Sequence, residues 1–293
     1  VMPAASIDRM RVPTRTWAAR EGLKNGYGLG SYSSVQDGFV YHGHNGGVDG
    51  GLTELAYLPD SGVGYFYSIN TGKGDAAMKI GEAIRAYITR ELQKPTLPTV
   101  APLPANASSY AGWYIPNSPR AKIDYFAERL MGMTHVGVED GRLLLASLIG
   151  PNLVLIPFAG MQFRQLSDPI ATAGLLAPNG EGEFIQLYGG MVTMKRVPTW
   201  IAITEIVLAA WIALALISVL IYAPFWVLGC IRKNFFQPAA RALLGFPLFA
   251  VLSAVIAVAI GFFVFNSGNV ISLLGNLTIW SGGIFLATIV FAI

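Results

Sequence analysis

The chain has 293 residues, of which 53% are hydrophobic and only 13% are charged, whereas a soluble globular domain carries about 25% charged residues. This deficit argues against a wholly soluble protein. The formal net charge is only +3, so the sequence offers no basic surface for nucleic acid, and that class of partner is set aside. Beyond Arg196 only four residues are charged, which predicts a polar portion followed by a membrane portion.

Residues 1–93 predict an antiparallel sheet with one covering helix. Two strand–turn–strand patterns surround Asp37-Gly38 and the Pro-Asp-Ser-Gly sequence at 59–62. Between residues 75 and 93 apolar side chains recur at helical spacing, with charged residues between them. The expected fold class of this part is therefore α+β.

A Pro-rich linker at 94–106 separates this part from a second module at 107–198. Short apolar runs, such as 143–148 and 153–158, alternate there with turn-forming residues. This pattern predicts a small all-β module, either a sandwich or a barrel. The single cysteine, Cys230, excludes a disulfide within the chain.

Residues 199–293 predict a membrane region with about three transmembrane helices, near 201–223, 243–265 and 277–293. Arg232, Lys233 and Arg241 lie between the first two spans, whereas the next connection is uncharged. Short basic loops stay in the cytoplasm. We therefore expect a multi-pass protein of the cell membrane with its N-terminal portion on the outer side, periplasmic or extracellular. Glu205 lies near the start of the first span, where a solvated side chain is expected.

The densest polar motif is Gly43-His44-Asn45-Gly46-Gly47, at the end of a predicted strand. Glycines leave the backbone accessible, and a bare strand end can direct N–H groups at an oxyanion. A glycine-rich bend at a sheet edge accounts for the same residues without any chemistry. Spacing alone favours this simpler interpretation.

An ordered set of motifs resembles the C-terminal third of the serine β-lactamase-like fold, which includes class C β-lactamases, penicillin-binding peptidases and related esterases. The set comprises Gly-Tyr-Gly-Leu-Gly at 26–30, the motif at 43–47, Tyr-Leu-Pro-Asp-Ser-Gly-Val-Gly at 57–64 and Ser-Ile-Asn at 68–70. A Pro-rich linker, a β-rich module and C-terminal spans also occur together in membrane-anchored relatives of that family.

This resemblance implies specific roles. His44, Asn45 and Gly46 match the third active-site motif of the family, in which His44 would lie beside the nucleophile and the Gly47 amide would be an oxyanion donor. The implied parent is a membrane-anchored serine hydrolase that acts on an amide or ester through an acyl-enzyme. Its substrate would be a small molecule or a peptide of the peptidoglycan type. No cofactor and no metal is implied.

The departures from the family pattern concern the nucleophile. The sequence contains no Ser-x-x-Lys and no Tyr-x-Asn, and its two Ser-x-Asn strings, at 68–70 and 267–269, stand in the wrong order or between spans. We therefore expect a fragment of the hydrolase that is inactive by itself. Whether the chain counts as an enzyme stays open.

Three alternatives remain. A non-catalytic, outward-facing membrane protein that binds cell wall or a partner would share the same features. His42 and His44 point to one face of a strand and could bind a metal with Asp49 and Glu54, although a hydrogen-bonding role for His44 is favoured. A transporter is a distant third. Membrane lipid is an expected partner, and the oligomeric state is not predicted.

Overall fold

The computed structural model describes residues 2–48, 50–117, 125–179, 182–188, 191–232, 238–267 and 269–292. The chain divides into two compact units. The first contains Val1–Asn45, Glu54–Tyr67 and Gly81–Ile206, and the second contains Gly46–Thr53, Ser68–Ile80 and Val207–Ile293.

Two short helices, α1 (Ala4–Arg11) and α2 (Trp17–Arg20), precede a four-stranded sheet. The strands β1 (Tyr32–Gln36), β2 (Phe39–Val48), β3 (Gly51–Leu58) and β4 (Val63–Ile69) lie in the order β1-β2-β3-β4. The β1–β2 turn is tight because Asp37 and Gly38 both have positive φ, 55° and 84°, as a two-residue hairpin requires. Helix α3 (Gly74–Ile88) follows β4. The core of this part consists of Phe39, Tyr41, Ala56 and Leu58, with Tyr65, Ile88 and Leu92 packed against it.

A closed β-barrel of eight antiparallel strands follows a short 3-10 helix (Ala107–Tyr110). The strands, with a helix α4 (Tyr125–Met131) after the first of them, are β5 (Gly112–Pro116), β6 (Thr134–Glu139), β7 (Arg142–Ser147), β8 (Leu153–Ala159), β9 (Gln162–Arg164), β10 (Ala173–Asn179), β11 (Gly182–Leu187) and β12 (Val192–Val197). Pairing of β12 with β5, with Val197 opposite Trp113, closes the barrel. Apolar side chains that include Tyr114, Phe163 and Leu175 fill the interior.

Arg164 holds the Pro-rich linker on the barrel. Its side chain is only 1% exposed and donates hydrogen bonds to the carbonyl oxygens of Pro98 (2.6 Å), Leu166 (2.9 Å) and Asp168 (2.9 Å). A buried guanidinium must find such acceptors, because burial without partners is costly. The carbonyl of Pro98 is therefore fixed by a residue of the barrel wall.

The last part of the described chain is helical. It contains α5 (Thr199–Ile231), α6 (Pro238–Ser267), α7 (Val270–Leu274) and α8 (Ile279–Ala292). Two helices within the described residues, Thr199–Ile231 and Gly245–Ser267, are long and apolar enough to cross a membrane. The third apolar helix, α8, has 14 residues, fewer than the roughly 20 that a span needs.

The predicted fold class is wrong. The sequence predicted the sheet-and-helix layout of a β-lactamase-like domain, whereas the structure has a closed eight-stranded antiparallel barrel with a separate four-stranded sheet and helices. Periodicity identifies strands but does not reveal their partners. Closure depends on pairing between β5 and β12, the first and last strands of the barrel, and no local pattern encodes that contact.

Candidate functional site

The motif predicted as a catalytic site lies along β2. His44 and Asn45 are exposed near the end of the part of β2 that belongs to the first unit. Gly43 precedes them, and a Cβ there would lie 1.9 Å from the carbonyl oxygen of Leu55 on β3. That distance is far below a van der Waals contact. Glycine at 43 is therefore required by the close approach of two strands, whatever the chemistry of its neighbours.

Gly46 and Gly47 continue β2 in the second unit and are exposed. A Cβ at Gly46 would lie 2.9 Å from Thr53 Oγ1, and one at Gly47 would lie 3.1 Å from a methyl carbon of Leu52. Thr53 Oγ1 donates a hydrogen bond to the carbonyl oxygen of Gly46 (3.4 Å). Both glycines thus face side chains of β3, which would have to shift slightly to admit a Cβ at 46 or 47.

Both ring nitrogens of His44 are engaged. Nδ1 is hydrogen-bonded to the carbonyl oxygen of Asn45, and Nε2 to the hydroxyl of Tyr27. A carbonyl oxygen only accepts, so Nδ1 donates to Asn45, and in the neutral imidazole Nε2 accepts from the Tyr27 hydroxyl. The rings of Tyr27 and Tyr32 each lie 5.7 Å from the imidazole, edge to face. His44 must give up one of these contacts before it can bind a metal or a substrate.

Tyr32 belongs to the same cluster. Burial raises the pKa of its hydroxyl, and the negative charge of Glu54 and the neighbouring Tyr27 add to this, while a hydrogen bond with the backbone of Asn45 opposes it. The hydroxyl therefore stays protonated near neutral pH. The cluster of Tyr27, Tyr32 and His44 is an aromatic, hydrogen-bonded edge of the sheet.

His42 lies two residues before His44, at a more buried position. Burial lowers the pKa of its imidazole, the positive charge of Arg11 adds to this, and Asp60 opposes it. Its Nδ1 is buried without a hydrogen-bond partner among the described residues. No group of three His, Cys, Asp or Glu side chains in the described part of the chain is placed to hold a metal ion. Asp49, one of the ligands considered from the sequence, lies outside the described residues.

A buried polar cluster fixes helix α3 to the sheet. Tyr65 Oη and Tyr67 Oη each donate to a carboxylate oxygen of Glu54 (both 2.9 Å), and Arg85 Nη1 donates to Tyr65 Oη (3.1 Å). The Arg85 side chain is 9% exposed and lies 3.8 Å from Glu54 and 3.5 Å from Asp37. Burial, the hydrogen bond to Glu54 and its charge raise the pKa of Tyr65 to about 12. The hydroxyls of Tyr65 and Tyr67, the carboxylate of Glu54 and the Nη1 of Arg85 are all hydrogen-bonded within this cluster, which indicates a structural rather than a reactive role.

The first turns of α5 are attached to the barrel. Ala202 is buried against Ile115 and Met133, with Trp113 and Ile206 packed around them. Arg129 of α4 forms an ion pair with Glu205 of α5. The two side chains are only 24% and 18% exposed. The prediction that Glu205 would be solvated is therefore not what the structure shows: its partner lies 76 positions earlier in the chain, beyond the reach of local sequence patterns.

A groove of about 500 Å³ lies between α4 and the β5–β12 pair. This volume falls within the range of small-molecule sites. Its lining combines methionine and proline residues with the polar residues Glu128 and Thr193. The lining consists of Pro116, Glu128, Met131, Gly132, Met191, Val192 and Thr193.

Comparisons with known proteins do not assign a family to this combination of sheet, barrel and helices. No family model matches the chain, and no curated protein matches it. Two solved structures with similarity to it are a crystal structure of SurE with D-Leu, at 21% identity and a TM-score of 0.36, and a crystal structure of SurE, at 20% identity and 0.35. Each covers 67% of this chain, which spans 44% and 42% of those proteins. Likeness at this level carries no functional argument.

The predicted membership in the serine β-lactamase-like family is wrong, and so is the predicted function as a fragment of a penicillin-binding type of serine hydrolase. No family model and no curated protein supports that membership, and the fold contains a closed barrel. Close backbone contacts explain why the motifs misled. A Cβ at Gly28 would lie 2.0 Å from the carbonyl oxygen of Met10, much as Gly43 meets Leu55. Glycine-rich strings of this kind arise wherever backbones approach, in any fold.

The site assignment itself stays a prediction. His44, Asn45, Gly46 and Gly47 lie on β2 as described, but the family that supplied their roles no longer supports them. Sequence reasoning missed the Arg129–Glu205 pair and the Glu54 cluster. The second had a detectable signal, since Glu54, Tyr65 and Tyr67 are placed at strand spacing that brings them to one face.

Proposed function

We propose that the chain is a multi-pass membrane protein that holds its β-barrel firmly against the outer surface of a cell membrane. The observation that carries this proposal is the junction between the barrel and α5. Ala202 is buried against Ile115 and Met133, and Arg129 pairs with Glu205. A flexible tether would need neither contact. These contacts support a direct attachment of the barrel to the first turns of α5.

The length of α5 supports a crossing. After Glu205 the helix continues for 26 residues without a charge, from 206 to 231. At 1.5 Å per residue these residues span about 39 Å, enough for a hydrocarbon core of about 30 Å and part of both interfaces. Helix α6 is the second crossing. The 14 residues of α8 reach only about 21 Å.

Orientation follows from the charges. The connection between α5 and α6 begins at Arg232, and Lys233 and Arg241 are nearby in sequence. A short basic connection remains in the cytoplasm. The barrel, before α5, then lies on the outer side. Lys233 lies outside the described residues, so Arg232 is the position at which this orientation is tested.

Membrane association and orientation are tested together in cells that express the full chain. Cys230→Ser removes the only native thiol, and single cysteines are then introduced as Asp140→Cys in the barrel and Arg232→Cys after α5. We expect an impermeant thiol reagent to label position 140 in intact cells and position 232 only after permeabilisation. The opposite pattern refutes the orientation. Release of the protein from membranes by alkaline carbonate refutes the membrane crossing.

A second candidate function, binding of a small molecule or peptide, is favoured by the groove of about 500 Å³ beside α4. Met131 and Met191 line it, whereas Met194 is buried in the barrel core. A ligand screen against protein with labelled methionine methyl groups should therefore shift the signals of Met131 and Met191 and leave Met194 unchanged. Compounds that shift all three signals equally, or none, count against a binding role for this groove.

A further inference from the structure

Two connections at one end of the barrel expose large apolar side chains. Helix α4 lies in the β5–β6 connection, and the β7–β8 connection lies at the same end because successive antiparallel connections alternate between ends. The Leu148 amide donates to the carbonyl oxygen of Met133 (2.9 Å), so the two connections are neighbours. Their exposed side chains are Phe126 (50%), Met131 (53%), Leu148 (40%) and Ile149 (62%).

Helix α4 is amphipathic, and its apolar side is the exposed one. With 100° between successive residues, Phe126, Ala127, Leu130 and Met131 occupy about 140° of the helix circumference. Arg129 lies outside this arc and forms the ion pair with Glu205 of α5. The polar side of α4 is therefore used within the protein. The apolar side of α4 is partly exposed, with Phe126 and Met131 about half accessible.

The Arg129–Glu205 pair places α4 beside the first turns of α5. Glu205 is the last charged residue before the uncharged segment at 206–231. If that segment crosses the membrane, Glu205 lies at the boundary between lipid and water, and α4 lies there with it. Aromatic and aliphatic side chains on amphipathic helices bind at this depth.

The β6–β7 turn, at the opposite end of the barrel, exposes charged rather than apolar side chains. The turn has the sequence Glu139-Asp140-Gly141-Arg142, with positive φ at Asp140 and Gly141, 48° and 73°. This turn exposes charges and no large apolar side chain. This turn thus differs from the two connections at the α4 end in the way expected if those connections face lipid and the turn faces water.

We propose that the α4 end of the barrel docks on the bilayer that α5 enters, with Phe126, Met131, Leu148 and Ile149 inserted among the lipid headgroups and the upper acyl chains. The proposal rests on the proposed membrane crossing of α5. Lipid is the occupant because this surface is continuous with α5 through the Arg129–Glu205 pair and because α4 has the amphipathic pattern of an interfacial helix. Contact with lipid also removes these apolar side chains from water, which is favourable.

The test uses the full chain in phosphatidylcholine nanodiscs in which part of the lipid carries bromine on the upper acyl carbons. On a Cys230→Ser background, a fluorophore is attached at Phe126→Cys or Ile149→Cys. The matched control is Asp140→Cys at the charged end of the barrel, and Ile217→Cys within α5 reports on the crossing itself. We expect brominated lipid to quench labels at 126, 149 and 217 and to leave the label at 140 unquenched.

Each other outcome has a definite meaning. Quenching at 217 without quenching at 126 and 149 overturns the docking proposal and leaves the crossing intact. Absence of quenching at 217 overturns the crossing. Disulfide-linked dimers of the Phe126→Cys protein, with no lipid quenching at 126, show that a second copy covers this surface and also overturn the proposal. If the Phe126→Cys protein does not fold, Ala127→Cys on the same exposed side replaces it.

Discussion

The junction between the barrel and α5 makes a quantitative prediction through the Arg129–Glu205 ion pair. Replacing either residue by alanine leaves the other charge partly buried and without its partner. Exposed pairs contribute about 0.2–1 kcal/mol, whereas loss of one member of a fully buried pair costs about 3–5 kcal/mol. With side chains 24% and 18% exposed, this pair lies between the two cases, and we expect each single substitution to destabilise the junction by about 1–3 kcal/mol.

The double variant separates the pair from other effects. Arg129→Ala combined with Glu205→Ala removes both charges, so it should cost clearly less than the sum of the two single substitutions. A coupling free energy of about 1–2 kcal/mol is expected, as for residues in direct contact. Pulse proteolysis in urea, with the protein in nanodiscs, measures the free energy of unfolding for each variant. A matched control is Arg142→Ala in the exposed β6–β7 turn, which should change stability by no more than about 0.5 kcal/mol.

Two results would refute this reasoning. Additive single substitutions, with coupling near zero, would show that the ion pair does not join α4 to α5. Unchanged distances between spin labels on the barrel and on α5 in the Glu205→Ala variant would show that the apolar contacts of Ala202 hold the junction without the pair. In the second case the attachment of the barrel to the first turns of α5 is still supported, but the contribution assigned to the ion pair is refuted.

The remaining predictions concern the sheet. Gly43→Ala places a Cβ 1.9 Å from the carbonyl oxygen of Leu55 and should destabilise the protein by at least about 3 kcal/mol, on the order of the largest overpacking effects. The control is Gly137→Ala in β6, which has open space around it and should be nearly neutral. Equal urea midpoints of unfolding for the two variants would contradict the structure. The pKa of Tyr65 and that of Tyr67 are each raised to about 12, above an unfolded value of about 10. Their protonated forms therefore stabilise the folded state fully below pH 10, and this contribution should be lost as the pH rises from 10 to 12. When the free energy of unfolding is measured against pH, the Tyr67→Phe variant should lose less stability between pH 10 and 12 than the unsubstituted protein. The same dependence on pH in both proteins would argue against the cluster.

The sequence predicted local elements where a short pattern determines the backbone. The Asp37-Gly38 dipeptide requires two positive φ angles, and the structure has a two-residue turn there with Gln36 opposite Phe39. The uncharged stretch after Glu205 likewise predicted a long apolar helix, because length and composition alone decide that feature. In both cases the determining residues are adjacent in sequence.

The features that could not be predicted all depend on contacts between distant residues. Whether the second module was a sandwich or a barrel depended on the β5–β12 pairing, and the guanidinium of Arg164 finds the carbonyl of Pro98 only after folding. The motif that was interpreted as catalytic also has a structural explanation for its first glycine. Gly43 and Gly28 are required by close backbone contacts, whereas the roles of His44, Asn45, Gly46 and Gly47 stay a prediction.

The same reasoning indicates where the chemistry of this protein should now be sought. A reactive group must be accessible and have unsatisfied bonding capacity, yet His44 uses both ring nitrogens and Glu54 accepts from two tyrosines. Surfaces that retain unused contact area include the apolar side of α4 and the groove beside it. Both lie next to the segment where α5 leaves the barrel. On the proposed membrane crossing of α5, ligands of these surfaces are expected among molecules of the bilayer surface.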